Sequence, residues 1–337
     1  MTSLTIDLKQ RALELGFHLV GITSAEPFQQ AELDMLRWLG EGHQGDMAWL
    51  NEARARLSCR PSELLPGAQS LIVVGVSYRT HEPGLGPRVA RYAWGSDYHD
   101  AMKDRLRQLA GYLTERAGRP VKTRVFVDDG PLVERDAAVR AGLGFRGKNT
   151  NLLTPIGSFV FLGALLSDVP LEVDQPVSKD CGTCRLCLDA CPTGVLASPY
   201  HLAAERCIAY LTIEHRGPIP RELRPQMGEW VFGCDVCQEV CPHNASTRGR
   251  PAAWPEFSPR SHLSLTELLS LDESAFRTTF RGSPVKRAKR RGLARNAAIA
   301  LGNTRSGTDA LRAAAQDDPD PVVREAAAWA LDQATCH

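Results

Sequence analysis

Four cysteines stand within eleven residues in CGTCRLCLDACP, residues 181–192. Cys181, Cys184, Cys187 and Cys191, closed by Pro192, fit the C-x2-C-x2-C-x3-C-P run by which bacterial ferredoxins hold iron–sulfur cubes. Turns between the thiolates let three of them reach one cube, while the fourth points away to a second. A second set follows. CDVCQEVCP supplies Cys234, Cys237 and Cys241 before Pro242, but the first position of the run falls on Val231. Cys207, in AAERCIAYL, is the nearby thiol left to complete the count. The spacing predicts one 4Fe-4S cluster on Cys181, Cys184, Cys187 and Cys241, and another on Cys191, Cys207, Cys234 and Cys237. Zinc also takes four thiolates, usually from two separated C-x2-C pairs; two triplets each closed by Cys-Pro fit that poorly. Cys59 and Cys336 stand alone and read as small packed hydrophobes.

Thiols used this way need a reducing compartment. The N-terminal MTSLTIDLKQRALELGF has no apolar signal core and no twin arginine. Nowhere do roughly eighteen apolar residues run together. A cytoplasmic protein without a membrane span is expected, in which ten cysteines serve metal or redox chemistry rather than disulfides. Composition is globular, 43% hydrophobic and 23% charged, and 337 residues call for two or three domains. The net charge of +1 gives no overall field, so attraction for nucleic acid would need a local patch. RGSPVKRAKRRGLAR, residues 281–295, is one: Arg281, Lys286, Arg287, Lys289, Arg290, Arg291 and Arg295, with no acid among them. Such runs are more often plain solvated faces.

The elements that must position these groups are legible in outline. FHLVGIT (17–23), LIVVGVSY (71–78), RVFVDDGP (124–131) and SFVFLGALL (158–166) are short apolar runs with the look of buried strands. Between them, EPFQQAELDMLRWLGEG and DAMKDRLRQLAGYLTERAG have helical spacing; in the second, Met102, Leu106, Leu109 and Leu113 share one face. Strands alternating with helices predict an α/β domain over residues 1–170. A ferredoxin-like segment, 171–250, follows. The Pro- and Arg-rich connector HNASTRGRPAAWPEFSPR, 243–260, crosses from this segment into the remainder, 251–337, which ends in two similar Ala-rich stretches, GLARNAAIALGN and PVVREAAAWALDQ. These have the look of a HEAT-like helical repeat.

Asp128 and Asp129 sit where an apolar strand ends, the place where α/β sheets carry ligands. A half-buried carboxyl there can hold a proton and deliver it. Asp-Gly-Pro is also strong turn chemistry, and either aspartate could cap the next helix. Gly142, Gly144 and Gly147 match the letters of a dinucleotide fingerprint but not its strand–turn–helix context.

The chain resembles the epoxyqueuosine reductase family almost end to end. WLGEGHQGDMAWL, LLPGAQSLIVV, ARYAWGSDYHDAM, VFVDDGPLVER, AGLGFRGKNT, GSFVFLG, CIAYLTIEHRGPIP, both cysteine runs and the C-terminal repeat carry the likeness. The resemblance implies a nitroreductase-like α/β (α+β) domain that binds cobalamin, related to the core of reductive dehalogenases. It implies two 4Fe-4S clusters feeding electrons from an external donor to the cobalt, and a tRNA substrate bearing epoxyqueuosine, reduced to queuosine. The family's V-D-S-x-P aspartate, its proton donor, falls on Asp128; here the following serine is Asp129, a second carboxylate placed to raise the donor's proton affinity. Tyr98, His99, Asp128, Asn149 and Ser158 are the implied cobalamin-pocket residues. A D-x-H-x-x-G cobalamin box is begun by Asp97, Tyr98 and His99 but broken by Met102, so His99 is not expected to ligate cobalt. Lys286, Arg287, Lys289, Arg290, Arg291 and Arg295 are then expected on tRNA phosphates, and the protein is expected to act as a monomer. Two other readings stay open: a reductive dehalogenase-like enzyme for a small molecule, and a plain iron–sulfur electron carrier.

Overall fold

The computed structural model describes residues 3–80, 87–245, 254–260 and 263–335. Four strands, β1 (Leu19–Ser24), β2 (Ser70–Ser77), β3 (Thr123–Phe126) and β4 (Val160–Ser167), form a sheet in the order β1–β2–β4–β3. They closely match the four expected runs. Every pairing is antiparallel. Of the two senses in the expected α/β (α+β) domain, this is the α+β one. Helices do alternate with strands, but the long connections return each strand beside its neighbour in the opposite direction, so the domain is α+β.

β2 and β4 are unbroken apolar runs because helices cover both faces of the sheet. Alternate side chains enter opposite cores. Ile72, Val74 and Val76 pack with Met102, Leu106, Leu109 and Leu113 of the helix Tyr98–Ala117 and with Leu8 of the helix Ser3–Glu14. Leu71, Val73, Ala164 and Leu166 meet Ala137 and Ala138 of the helix Glu134–Arg140. Cys59 is fully buried in this second core, where burial pushes its thiol up to about 12. It is a packing residue, as expected. The long helix is capped at Asp97, whose carboxylate accepts the His99 N–H, and stops at Gly118 in the left-handed conformation.

The cores beyond the sheet do not follow the expected boundaries. Ile208, Leu211, Met227, Trp230 and Phe232 share one core with Leu268, Phe276, Leu293, Ala297, Leu301, Val323 and Trp329. Residues on both sides of 250 therefore build a single unit. Arg88–Val89 pairs in parallel with Trp230–Phe232 and ties this unit to the first domain. Trp254 and Phe257, within the expected connector, return to the sheet domain and pack on Phe17 and Phe161. The two Ala-rich stretches fall in the helices Lys289–Thr304 and Pro321–Thr335, with Thr308–Asp317 between them. Small residues let the outer two approach closely: a side chain added at Gly302 would collide with the Ala330 backbone. Connector residues 246–253 and Cys336 lie outside the described residues. No helix among the described residues is long and apolar enough to cross a membrane.

Candidate active site and cluster centres

Asp128 lies just beyond the end of β3, where the chain leaves the sheet. Its φ is +54°, the left-handed region, tolerated by Asp better than by most side chains but still strained. Two groups hold it there. The Tyr98 hydroxyl donates to Asp128 Oδ2 at 2.7 Å. The Asp128 N–H is bound by both oxygens of Glu134, each at 2.9 Å. Burial, then the Asp128 charge, keep the Tyr98 hydroxyl protonated far above the usual tyrosine range, so it remains a donor. Burial first, and Asp128 next, also raise the proton affinity of Glu134 well above the ordinary carboxyl range. Neither aspartate caps the next helix, whose cap is Val133 with no side-chain bond. Asp129 forms an ion pair with Lys103 and not with its neighbour. The second carboxyl that faces Asp128 is therefore Glu134, a residue the pattern of the sequence did not single out.

Asp128, Tyr98 and Glu134 open onto a half-open cavity of about 580 Å³, within the ~300–1,000 Å³ typical of small-molecule sites. Its walls include Trp38, Trp49, Phe161 and Leu132, with Arg54, Arg135, Arg146 and Thr150 as polar partners, and Tyr200 and Leu202 closing it from the cluster side. Of the five expected pocket residues, Tyr98 and Asp128 line it. His99 does not: its ring stacks on Tyr98 and its Nδ1 meets Asp97 Oδ1 at 2.6 Å. Ser158 and Asn149 are buried away from it. Ser158 donates to Gln238 Oε1 at 2.8 Å, and Asn149 donates to the Cys237 carbonyl at 3.2 Å. Asn149 thus belongs to the join between cavity and cysteines. So do Asn151, whose amide reaches Cys237 Sγ at 3.8 Å, and Lys148, which donates to the carbonyls of Gly182 and Cys184. The glycines of the apparent dinucleotide fingerprint allow close packing of this loop; a side chain at Gly144 would strike the Leu153 carbonyl.

The nine cysteines among the described residues are free thiols. Eight of them gather in two groups. Cys241 and Cys187 each lie in the field of Cys181 and Cys184, and Cys187 also in that of Cys241. Cys234 lies in the field of Cys207 and Cys191, and Cys237 in that of Cys234 and Cys207. The groups adjoin at Cys187 and Cys237. Burial and these neighbours push the Cys234 thiol up to about 12. Thiolates packed so closely repel unless a cation sits among them, which is the condition a cluster satisfies. Leu188, Val195 and Leu196 form a small apolar core against Cys187, Cys191, Cys207 and Cys237.

The basic run divides. Arg295 is fully buried, with its guanidinium on the carbonyls of His215, Gly217 and Leu211. Arg290 is nearly buried, paired with Asp318 and bonded to the Leu271 carbonyl. The expectation that these two face phosphates is corrected: both are internal struts. Lys286, Arg287, Lys289 and Arg291 are exposed. Arg287 pairs with Glu214 and Arg291 with Asp320. The partners come from distant sequence, which is why the run looked uncompensated.

Residues 59–129 match a family model described as epoxyqueuosine reductase QueG, DUF1730, and residues 180–244 match a 4Fe-4S double cluster binding domain. The epoxyqueuosine reductase of Pseudomonas aeruginosa is 42% identical, over 96% of this chain and 92% of its own length. That of Xanthomonas campestris is 40% identical, over 97% and 95%. The chain belongs to the epoxyqueuosine reductase family. Solved epoxyqueuosine reductases have the same fold. One, crystallised with an epoxyqueuosine-modified tRNA-Tyr stem loop, is 32% identical with a TM-score of 0.90, covering 98% of this chain and 90% of that one. Another, from Bacillus subtilis, is 30% identical with a TM-score of 0.89 over the same shares, and has an aspartate-bearing catalytic loop swung out of its active site.

Proposed function

We propose that this chain reduces epoxyqueuosine in tRNA to queuosine, with Asp128 as proton donor. The observation that carries the reading is Asp128 lining a cavity whose Arg146–Thr150 side adjoins Cys237, one of eight gathered thiols. Removing the epoxide oxygen breaks two C–O bonds and makes a C=C bond. The oxygen leaves as water, which takes two electrons and two protons. Asp128 delivers a proton to the departing oxygen, since an alkoxide is a poor leaving group. The Tyr98 hydroxyl fixes the Oδ2 atom, and Glu134 fixes the loop while holding a second proton beside the first.

The donor sets suit two 4Fe-4S clusters, one on Cys181, Cys184, Cys187 and Cys241, the other on Cys191, Cys207, Cys234 and Cys237. An external donor would fill them one electron at a time. The cavity lining suits a corrin: apolar side chains at Phe161, Leu132 and Trp38 for the macrocycle, and Arg54, Arg135, Arg146 and Thr150 for its carboxamide rim. When bound there, cobalamin would supply the low-potential cobalt that breaks the carbon–oxygen bonds. The loop 146–151 borders both this cavity and Cys237, and so offers a course for electrons between them. The C-terminal helices are read as a HEAT-like unit that presents Lys286 and Lys289 to tRNA.

The test is Asp128→Asn in the reconstituted enzyme. Iron and cobalt content should be unchanged, while mass spectrometry of nucleosides from treated tRNA should show no queuosine. Retained turnover, or loss of either cofactor, would remove Asp128 from the role of donor.

A further inference from the structure

The turn after the helix Gln29–Gly40 and the segment entering Cys207 bring together Glu41, His43, His201 and Glu205. One ligand atom from each of Glu41, His43 and His201 lies within 4.8 Å of the other two. Glu41 Oε2 is 3.3 Å from His43 Nε2 and 3.0 Å from His201 Nε2. On its other side, His43 Nδ1 is 3.3 Å from Glu205 Oε1.

Proton accounting makes this an awkward set of hydrogen bonds. A neutral imidazole has one N–H and one lone pair, so one ring nitrogen of His43 would turn a lone pair on a carboxylate. A charged ring would escape that, but charge-assisted N–H···O bonds close to about 2.7–2.9 Å, and both contacts of His43 stand at 3.3 Å. Ligands bound at about 2.0–2.1 Å around a tetrahedral ion lie about 3.3 Å apart, close to the 3.3 and 3.0 Å that separate Glu41 Oε2 from the two imidazole nitrogens. His43 Nδ1–H would then donate to Glu205, in the manner of the carboxylates that ordinarily orient a metal-bound histidine. Glu205 Oε2 is buried without a hydrogen-bond partner among the described residues, a further sign that positive charge is wanted here.

We propose that Glu41, His43 and His201 bind a divalent transition-metal ion of the zinc type, with Glu205 orienting His43 and water in the fourth position. Two histidines and a carboxylate are an established zinc donor set. The side chains of Glu41 and His201 are 42% and 43% exposed, so the ion enters from solvent without unfolding. The site sits on a seam. Trp38 Nε1 donates to the Leu202 carbonyl at 2.7 Å and the Ala204 N–H to the His43 carbonyl at 3.0 Å, while Trp38 and Leu202 also line the active cavity. The ion would clamp the cavity wall to the segment that carries Cys207.

The test is titration of zinc sulfate into the full chain with its clusters assembled, after a chelator wash. Bound zinc, iron content and the thermal unfolding midpoint are followed together. One zinc per chain is expected, with unchanged iron and a raised midpoint. His201→Ala should abolish uptake, and Glu205→Gln, which leaves all three ligands in place, should weaken it about ten- to hundredfold. Wild-type protein that takes up no zinc overturns the site. So does uptake that survives His201→Ala, or that proceeds only as iron is lost, since the ion then lies on the cysteines.

Discussion

Asp128 is held by two neighbours with different tasks. Tyr98 fixes one carboxylate oxygen, whereas Glu134 grips the backbone N–H and so maintains the left-handed turn. Glu134→Ala removes that grip, and a displacement of about 1 Å at a reacting group commonly costs about a hundredfold in rate. A fall of about ten- to hundredfold in kcat is expected, with iron and cobalt retained. Glu134→Gln keeps an oxygen on the N–H and should turn over faster than the alanine variant. The two also separate in pH. The folded-state pKa of Glu134 is raised, so it is protonated below that value and loses its proton as pH rises through it, taking away the second proton held beside Asp128. An alkaline limb in the pH–kcat/KM profile is expected in the native enzyme and should be missing in Glu134→Gln; identical profiles would leave Glu134 a purely structural residue. Asp128 is legible in the sequence as an acid closing an apolar strand. Glu134 is not, because its burial and its two-oxygen contact arise only when the helix Glu134–Arg140 folds back over the strand end.

At the scale of elements, the cysteine runs are legible because ligand spacing is local: each triplet lies on one turn and one short helix, Leu186–Asp189 or Val236–Glu239. Cys207 is different. It precedes the helix Ile208–Ile213, and only the count of thiols pointed to it. Cys207→Ser is expected to lower iron content by about half and leave the other cluster's absorption in place; full iron content would mean that another residue completes the set. The basic run misleads for a related reason. Arg295 looks in sequence like its neighbours, yet its helix turns it inward onto three carbonyls, and burial brings its pKa down to about 9. Removing it strands those acceptors, so Arg295→Ala should cost about 3 kcal/mol in denaturant unfolding. Arg295→Lys should recover little, since an ammonium lacks the fork that spans all three. A loss as small as that from Lys286→Ala would return Arg295 to the surface set.

Across the whole molecule, two exposed cations of the basic run, Lys286 and Arg287, come close to residues that flank or line the cavity. Lys286 Nζ is 3.4 Å from Asp97 Oδ2, and Asp97 caps the helix that begins with Tyr98. The Arg287 guanidinium has its pKa raised chiefly by its bond to Glu214, and it is also close enough to Asp128 for that carboxylate to add to the rise. No local pattern could show this, because residues near 98, 128 and 287 meet only when the C-terminal unit docks on the sheet domain. A stem loop whose phosphates run over Lys286 and Lys289 would present its wobble base at the cavity mouth, with the base turned out of the stack to reach Asp128. Arg290 and Arg291 are poor probes of this course, as both already pair with aspartates of the same unit. Lys286→Ala with Lys289→Ala is the cleaner variant, since a glutamate at 286 would set a carboxylate against Asp97. Each phosphate that no longer meets a cation should lower the slope of log K against log salt by about 1, so binding of the unmodified and modified stem loops should weaken alike and the slope should fall by about 2. The Arg295-centred core is untouched, so the thermal midpoint should not move. A slope equal to that of the native chain would place the tRNA on another face and leave Lys286 and Lys289 as plain solvated charges.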